Sequence, residues 1–170
     1  FDGKTYNLTT GVDPFVGTNK DDTFLATNAE TQFSIADTLD GGKGIDTLRL
    51  IDSDNTIAGY TLAIPVAASI KNIEIIDIIG NAGVTANTSD TTAFAGVTHL
   101  YTTSTGANTS TAAATTNINA TANGTAGVDT IIVKGGKDVT VVSKSNNADT
   151  ITVGTISAGF VVSDAAAGKV

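Results

Sequence analysis

Short apolar segments that alternate with Gly, Asn and Asp predict a chain built from β-strands. Many of these segments contain Val, Ile and Thr, which favour strands, and the chain has only two prolines. No long stretch has the 3.6-residue periodicity of an amphipathic helix. We therefore predict an all-β protein with strands at residues 6–8, 47–51, 60–64, 73–79, 99–103, 130–133, 139–142, 150–153 and 160–162.

The apolar run at residues 73–79 (IEIIDII) is the strongest of these strand signals. A half-buried strand alternates apolar and polar residues, whereas this run is almost continuously apolar. It therefore predicts a strand that is buried on both faces or lies at a packed junction.

The last four predicted strands begin about ten residues apart, and Gly- or Asn-rich turns separate them. Two of the strands carry the triplet D-T-I, at residues 129 and 149. Short strands at a fixed period are typical of a solenoid, in which each coil stacks on the next. A β-sandwich also has short strands and frequent turns, so it is the competing all-β layout.

The segment at residues 41–49 (GGKGIDTLR) fits the nonapeptide G-G-x-G-x-D-x-U-x, where U is a large apolar residue. This pattern is the calcium-binding turn of RTX-type parallel β-rolls. Its glycines permit positive φ and so turn carbonyl oxygens towards one point, to which Asp46 adds a carboxylate. Leu48 then begins a strand and is expected to point into the core. Several oxygen ligands at close range suit Ca²⁺, and the motif favours the solenoid.

The spacing of this motif recurs upstream. D-T-L triplets begin at residues 37 and 46, nine apart, and Asp13 likewise lies nine residues before Asp22. The segment 11–24 is therefore interpreted as two degenerate turns of the same kind. Between residues 22 and 37 the spacing is fifteen, so we expect the extra residues to bulge out around positions 29–32. Ordinary Asp/Gly turns between short strands are the alternative interpretation.

The negative charge is concentrated in the same part of the chain. Of the net charge of −8, −6 lies in residues 1–55. Carboxylates crowded into turns repel one another unless a cation neutralises them, although a solvated acidic face is the simpler interpretation. We predict RTX-like calcium-binding turns in residues 1–55, followed by Thr/Ala/Asn-rich solenoid coils in residues 56–170, continuous with the first part as a single domain.

Residues 81–126 are low in complexity, being almost only Thr, Ala, Asn, Ser and Gly around residues 102–127. A disordered linker, solenoid coils and a mixture of the two are compatible with this composition. Because Thr is a good strand former and Asn fits turns, we favour solenoid coils with long loops.

The composition argues against catalysis, zinc binding, nucleic-acid binding and membrane insertion. The chain has no cysteine, and His99 is its only histidine, so disulfides and zinc centres are not expected. No basic patch is available for nucleic acid, and charges interrupt the apolar run at residues 63–79, so we expect no membrane insertion. The carboxylate pairs at residues 21–22 and 52–54 are explained better by metal ligation or solvation than by acid–base chemistry. We expect no enzyme.

Four segments in order resemble the calcium-binding region of bacterial surface-layer proteins that carry RTX motifs and leave the cell by type I secretion. They are LTTGVDPFVGTNKDDTF, ADTLDGGKGIDTLRL, SIKNIEIIDI and FAGVTHLYTT. The resemblance is specific over residues 8–102 and extends beyond them in composition. The absence of cysteine agrees with export of an unfolded chain. The chain begins directly in strand-forming sequence, so we expect it to be a piece of a longer protein.

The resemblance implies a right-handed parallel β-helix or β-solenoid with Ca²⁺ in its N-terminal turns. It also implies secretion to the cell surface and self-association into a two-dimensional lattice, with any contact to cell-surface polysaccharide made by another domain. A calcium-dependent adhesin or a stalk domain of a large secreted RTX protein is the alternative. By position, the implied metal ligands are Asp13, Gly17, Asn19, Asp21, Asp22, Asp37, Asp40, Gly41, Gly42, Gly44 and Asp46.

Overall fold

A computed structural model describes residues 2–52, 61–62, 64, 69–80, 86–124, 128–145 and 147–164. These residues form sixteen strands and one short helix, α1 (Ala29–Gln32). The strands are β1 (Thr5–Asn7), β2 (Pro14–Val16), β3 (Thr23–Ala26), β4 (Thr38–Asp40), β5 (Thr47–Asp52), β6 (Thr61–Leu62), β7 (Ser69–Lys71), β8 (Ile75–Gly80), β9 (Ala86–Asp90), β10 (His99–Ser104), β11 (Ala107–Ala112), β12 (Asn117–Ala122), β13 (Thr130–Gly135), β14 (Val139–Ser143), β15 (Thr150–Val153) and β16 (Phe160–Asp164).

The strands form three parallel sheets. An eight-stranded sheet has the order β1-β3-β5-β8-β10-β12-β14-β16, a five-stranded sheet the order β15-β13-β11-β9-β6, and a three-stranded sheet the order β2-β4-β7. From β2 onwards, each strand lies in a different sheet from the strand before it, and each pairing joins successive passes of the chain in parallel. This is an all-β, solenoid-like arrangement. The antiparallel sheets of a β-sandwich would not give these pairings, so the parallel all-β prediction is confirmed.

The core consists of inward-facing residues that stack from coil to coil. One column follows the strand register through Phe24, Leu48, Ile76, Leu100 and Ile118, and all five residues are buried. Each buried Leu, Ile or Phe side chain contributes roughly 1.5–3 kcal/mol relative to an exposed one. The stacking of equivalent residues therefore stabilises each coil through its two neighbours.

Strand β8 differs from its predicted form. Its burial alternates between partly exposed and buried residues, with Ile76 and Ile78 facing the core. The prediction of a strand buried on both faces was therefore wrong. The outward residues Ile75 and Ile79 are only half-buried because they line a hollow on the outer face of the eight-stranded sheet.

The described part of the low-complexity segment is ordered into coils, which contain β9, β10, β11 and β12. Its inward residues include small polar ones that bond to one another. The Thr102 and Ser110 hydroxyls lie 2.7 Å apart, and the Asn108 amide donates to the carbonyl oxygens of Thr102 and Thr121 at 3.3 and 3.1 Å. Because these buried groups have partners, a sequence poor in large apolar residues still forms a packed interior. Residues 81–85 and 125–127 lie outside the described part.

The interruption expected around residues 29–32 is the helical turn α1, whose Ala29 is buried. The strand predicted at residues 60–64 corresponds to β6, which covers residues 61–62, while residues 60 and 63 lie outside the described part. In the residues that the structure describes, no helix has the length and apolar character needed to cross a membrane.

Candidate cation site in the stacked turns

The turns that lead into β3 and β5 lie directly on each other. We name them the first turn (residues 17–22) and the second turn (residues 41–46), and equivalent positions are 24 residues apart. The backbone N–H of Lys43 donates to the carbonyl of Thr18 at 3.1 Å, and that of Ile45 donates to the Asp21 carboxylate at 2.8 Å. The nonapeptide is therefore one layer of a stack rather than an isolated loop.

The glycines of the motif are required by close packing as well as by φ. Gly42 and Gly44 have φ of 90° and 135°, as the motif predicts. A Cβ on Gly41 would lie 1.8 Å from the carbonyl oxygen of Asn72, and one on Gly17 would lie 2.0 Å from the Gly41 carbonyl oxygen. No side chain fits at either position without a backbone shift, so these glycines set the spacing of the turns.

A ladder of carboxylates joins the turns. The Asp22 N–H donates to the Asp46 carboxylate at 2.7 Å, and the Asp46 N–H donates to the Glu74 carboxylate at 2.8 Å. The Lys4 N–H donates to Asp22 at 2.6 Å in the same way. Each acidic side chain thus satisfies a backbone amide of the coil before it. This role requires no metal, and the sequence pattern did not indicate it.

Asp46 is the least satisfied member of the ladder. The residue is only 1% exposed, and its Oδ2 is a buried atom without a hydrogen-bond partner. Burial raises the pKa of Asp46, the Asp22 N–H lowers it, and the neighbouring carboxylates of Glu74, Asp22 and Asp21 raise it further. An uncompensated buried carboxylate is costly, and a bound cation would remove this cost.

Asp22 is held differently, although it occupies the equivalent position. Both of its carboxylate oxygens accept hydrogen bonds from Thr18, with the shortest at 2.5 Å, and one oxygen also accepts the Lys4 N–H. Burial raises the pKa of Asp22, but the Thr18 and Lys4 donors outweigh it, so that the pKa lies below its ordinary value. Asp22 is therefore ionised at neutral pH beside Asp46.

Two further predicted ligands lie at the outer end of the stack. A hollow of about 570 Å³ above the first turn is lined by Asp2, Gly3, Asn19, Lys20 and Asp21. Two acidic residues and an asparagine line it together with Lys20, and the Asp21 carboxylate also accepts the Ile45 N–H of the second turn. Asn19 and Asp21 are thus placed near the stack, next to a cationic group.

Asp13 and Asp37 form a separate stack, at the start of β2 and β4. The Asp13 N–H donates to Asp37 at 2.9 Å. The remaining oxygens are also engaged, since Asp13 accepts from the Thr9 amide and hydroxyl, and Asp37 accepts from the Ser34 amide. A spacing of nine residues therefore separates aspartates, while a spacing of 24 brings them together. The eleven predicted ligands do not form one cluster.

Asp40 has a cationic partner from the protein itself. Its carboxylate lies 3.0 Å from the Lys71 ammonium and accepts hydrogen bonds from the Asn72 side chain at 2.7 Å and the Gly42 N–H at 3.2 Å. The Asn72 and Lys71 contacts hold the pKa of Asp40 below its ordinary value. Asp40 therefore acts as a clamp between β4 and β7 in this structure.

The donors at the second turn are oxygen atoms, which suit a hard cation, but few of them come from carboxylates. Among the described residues, no three Asp, Glu, His or Cys side chains form a group that could hold a metal. A cation here would therefore depend on main-chain carbonyls in addition to Asp46 and Asp22, as all-oxygen calcium sites permit. The buried free Oδ2 beside the glycine-lined carbonyls is the feature that fits such an ion.

A related turn in the C-terminal half was not among the predicted site residues. The Asp129 N–H donates to Asp149 at 2.8 Å, and the Ser143 hydroxyl donates to Asp149. The Oδ2 of Asp129 is also buried without a partner, and burial and Asp149 raise the pKa of Asp129. The segment 124–131 (GTAGVDTI) shares the G-x-x-G-x-D-x-U spacing of the nonapeptide, and this signal could have found it.

Asp52 and Glu74 were also missed as structural carboxylates. Asp52 is fully buried at the end of β5, and neither of its oxygens has a hydrogen-bond partner. Solvation, which was one explanation for the pair at residues 52–54, is therefore wrong for Asp52. Residue 54 lies outside the described part.

Comparison with known proteins adds no relatives to this description. No protein-family model matches the chain, and no curated protein or solved structure matches it.

Proposed function

We propose that this chain is a structural calcium-binding domain of a secreted bacterial surface-layer protein. In this proposal the parallel coils form a right-handed β-solenoid that folds when Ca²⁺ binds and contributes to a two-dimensional lattice. The support comes from the RTX-type nonapeptide of the second turn, the solenoid-like sheets and the surface-layer resemblance of residues 8–102.

One observation carries the calcium assignment. The Asp46 carboxylate is buried between Asp22 and Glu74 in the ladder, and its Oδ2 accepts no hydrogen bond. Ca²⁺ takes carboxylate and carbonyl oxygens in flexible arrangements, so Asp46, Asp22 and carbonyls of the two turns would hold it. The ion would supply positive charge beside Asp46, where the neighbouring charged groups are the carboxylates of Glu74, Asp22 and Asp21.

The residues of the chain explain why folding would depend on the ion. In the unfolded chain Asp22, Asp46 and Glu74 are apart and hydrated, whereas folding brings them into one ladder. Without a cation, their repulsion and the burial of Asp46 oppose the stacking of coils. Sites of extracellular affinity, roughly 10⁻⁴–10⁻³ M, would remain empty inside the cell and fill outside it.

Self-association is supported by the exposed edge of the eight-stranded sheet. Strand β16 has one strand neighbour in the described part of the chain, β14, and carries Phe160 and Val161, which are 44% and 60% exposed. Unpaired edges with apolar side chains favour pairing with further strands. We propose that such contacts, rather than a catalytic group, are the working surfaces of the domain.

The test is a calcium titration of chelator-treated protein followed by circular dichroism and calorimetry, with Mg²⁺ as the control ion. We expect β-structure and melting temperature to rise, with about 2.7 kcal/mol of stabilisation at a hundredfold excess over Kd. Asp46→Asn should lose this response. Asp129→Asn is the matched control, because Asp129 has the same buried free oxygen and should leave the response intact. A flat response of the unmodified protein to calcium would contradict the proposal.

The alternative, a calcium-dependent adhesin or stalk domain, is favoured by one feature, a hollow of mixed polar and apolar lining on the outer face of the eight-stranded sheet. Electron microscopy and light scattering with added Ca²⁺ separate the two functions. Ordered two-dimensional arrays support the surface-layer role. A calcium-loaded protein that remains monomeric supports the adhesin or stalk.

A further inference from the structure

The outer face of the eight-stranded sheet carries a row of long polar and aromatic side chains. Arg49, Asp77, Tyr101 and Asn119 occupy the same register position on β5, β8, β10 and β12. Their neighbours in each strand face the core, so these four point outward. Because adjacent strands lie about 4.8 Å apart, the row is about 14 Å long and runs along the stack of coils.

The row lies along two shallow hollows on the sheet surface. A hollow of about 470 Å³ spans all four strands, and a second of about 220 Å³ continues it towards β14. Tyr101 lines both hollows and is 40% exposed. Asn119 lines both hollows as well, so these two side chains lie where the hollows adjoin.

The side chains of this surface are held in place without a ligand. The ring of Tyr101 stacks on that of His99, with centroids 6.1 Å apart and planes 6° apart. His99 is fixed by Thr98 at 3.0 Å and Asn117 at 3.2 Å. The Arg49 guanidinium lies 3.3 Å from the Asp77 carboxylate. A preorganised surface loses little conformational entropy on binding.

The chemistry of the surface selects a class of ligand. The charges of Arg49 and Asp77 cancel, so the hollow does not attract a polyanion as a basic groove would. An aromatic face beside guanidinium, carboxylate and amide groups matches a sugar, which has an apolar C–H face and a rim of hydroxyls. We propose that this hollow binds a neutral oligosaccharide, with its rings along the row and one ring stacked on Tyr101.

In this arrangement each polar side chain has a role. Asp77 accepts hydrogen bonds from sugar hydroxyls, Arg49 donates to them, and Asn119 does both. The spacing of the strands is close to the length of one sugar unit in an extended chain, so successive units would meet successive strands. Burial raises the pKa of Asp77 and Arg49 lowers it, which agrees with a carboxylate in a partly dehydrated hollow.

This inference does not depend on the proposed calcium role. Its residues lie on β5, β8, β10 and β12, and none of them belongs to the two stacked turns. The binding tests are made on the full chain in saturating Ca²⁺, where failure to bind sugar leaves the calcium response unaffected. Conversely, loss of the calcium response in Asp46→Asn says nothing about the hollow.

The experiment is a glycan array of neutral and anionic polysaccharides, followed by calorimetric titration with the tightest neutral oligosaccharide. We expect a neutral glycan to bind, and Tyr101→Ala to weaken binding about tenfold or more through loss of stacking. Tyr101→Phe should bind within a few-fold of the unmodified chain. Ile132→Ala, a partly exposed position on the five-stranded sheet, is the matched control and should bind normally.

Nuclear magnetic resonance of the unmodified chain gives an independent measurement, since it requires no variant to fold. The amide signals of Tyr101 and Asn119 should shift when the neutral glycan is added. The proposal is overturned if no neutral glycan binds at millimolar concentration, if only anionic glycans bind, or if Tyr101→Ala binds as tightly as the unmodified chain while remaining folded.

Discussion

The second turn and the turn at Asp129 place a buried aspartate at the same point, immediately before a strand of a parallel sheet. In both, the aspartate N–H donates to a carboxylate of the next coil, Glu74 or Asp149, and the aspartate Oδ2 is buried without a partner. The two turns differ in the residue that the preceding coil places against the buried aspartate. Asp22 lies there in the first case, whereas Gly106 occupies the corresponding register position in the second.

This difference shows how the same local motif acquires different electrostatics. Three carboxylates raise the pKa of Asp46, while Asp149 alone among the charged groups raises that of Asp129. Neighbouring carboxylates raise the pKa of Asp46 because their repulsion favours its protonated form, and a bound cation would relieve the same repulsion. Under the proposed function, the second turn is therefore where calcium is expected to bind, although both turns share the glycine–aspartate spacing.

The largest expected effect comes from adding a methyl group to the turns. Gly41→Ala and Gly124→Ala should each lower the free energy of unfolding by about 3 kcal/mol or more, because the Cβ would lie 1.8 and 2.3 Å from a backbone carbonyl oxygen. Chemical denaturation measures this. Gly11→Ala is the control, since its Cβ would be 3.5 Å from its nearest neighbour.

The same pair of variants separates the two turns. Gly124→Ala should keep a calcium-dependent rise in melting temperature, and Gly41→Ala should lose it. An unchanged calcium response in folded Gly41→Ala would break the comparison, since it would place the ion elsewhere.

Removing the buried charge should have a smaller effect of opposite sign. In chelator at pH 7, Asp46→Asn should raise the free energy of unfolding by on the order of 1 kcal/mol, and Asp129→Asn by less. Asn keeps the acceptor for the amide of the preceding coil and removes the repulsion, which is larger at Asp46. Urea denaturation of both variants tests the order. Equal or reversed effects would show that neighbouring carboxylates do not distinguish the two turns.

The pH dependence of the free energy of unfolding gives a second test of the buried charges. The pKa of Asp129 is raised in the folded state above 3.8, so its ionisation destabilises the fold at neutral pH, and this cost disappears as the pH falls below 3.8. Asp129→Asn should therefore gain stability over the unmodified chain at pH 7 but not at pH 3. Asp22 has a lowered pKa and should behave oppositely, contributing stability above pH 3.8 that is lost as the pH falls further. Stability curves in chelator between pH 3 and 7 measure both.

The smallest effect is expected from the ion pair of Asp40. Lys71→Met should change the free energy of unfolding by less than about 0.5 kcal/mol, because the Lys71 side chain is 63% exposed and Asp40 keeps its Asn72 and Gly42 donors. Lys137→Met removes the exposed pair with Asp138 and serves as its C-terminal counterpart. A loss above 1 kcal/mol for Lys71→Met alone would assign Asp40 a larger role in the turn stack.

Much of the fold could be predicted from the sequence, because strand propensity and turn residues act locally. The predicted strands at residues 47–51, 99–103 and 150–153 agree with β5, β10 and β15 within one residue at each end. Shorter strands such as β2 and β4 were missed, since three residues carry little pattern. Strand β11 was not separately predicted because its inward residues include Asn108 and Ser110, which are acceptable in the core because they form hydrogen bonds within the coil and to Thr121 of the next coil. Strand β12 was not separately predicted because two of its three inward residues are alanines, which favour strands weakly.

The candidate site could be predicted only in part. The glycine positions and the aspartate of the nonapeptide were identified correctly as a turn, and Leu48 is buried as expected. The nine-residue spacing in the sequence could not show which of the predicted ligand residues lie together. Their grouping depends on the length of a complete coil, which α1 and the loops between sheets set, and this length decides that Asp22 rather than Asp37 lies against Asp46.

The amino-acid sequence alone determined the strand-rich class of this protein, the position of the glycine-rich turn at residues 41–46 and the sign of the net charge, since backbone preferences and side-chain chemistry belong to single residues. The tertiary structure decided which aspartates share a stack, which carboxylate oxygen is left without a donor, and which outward side chains line a common hollow. These are properties of neighbouring coils that lie 18 to 28 residues apart in the chain, and parallel stacking creates their contacts.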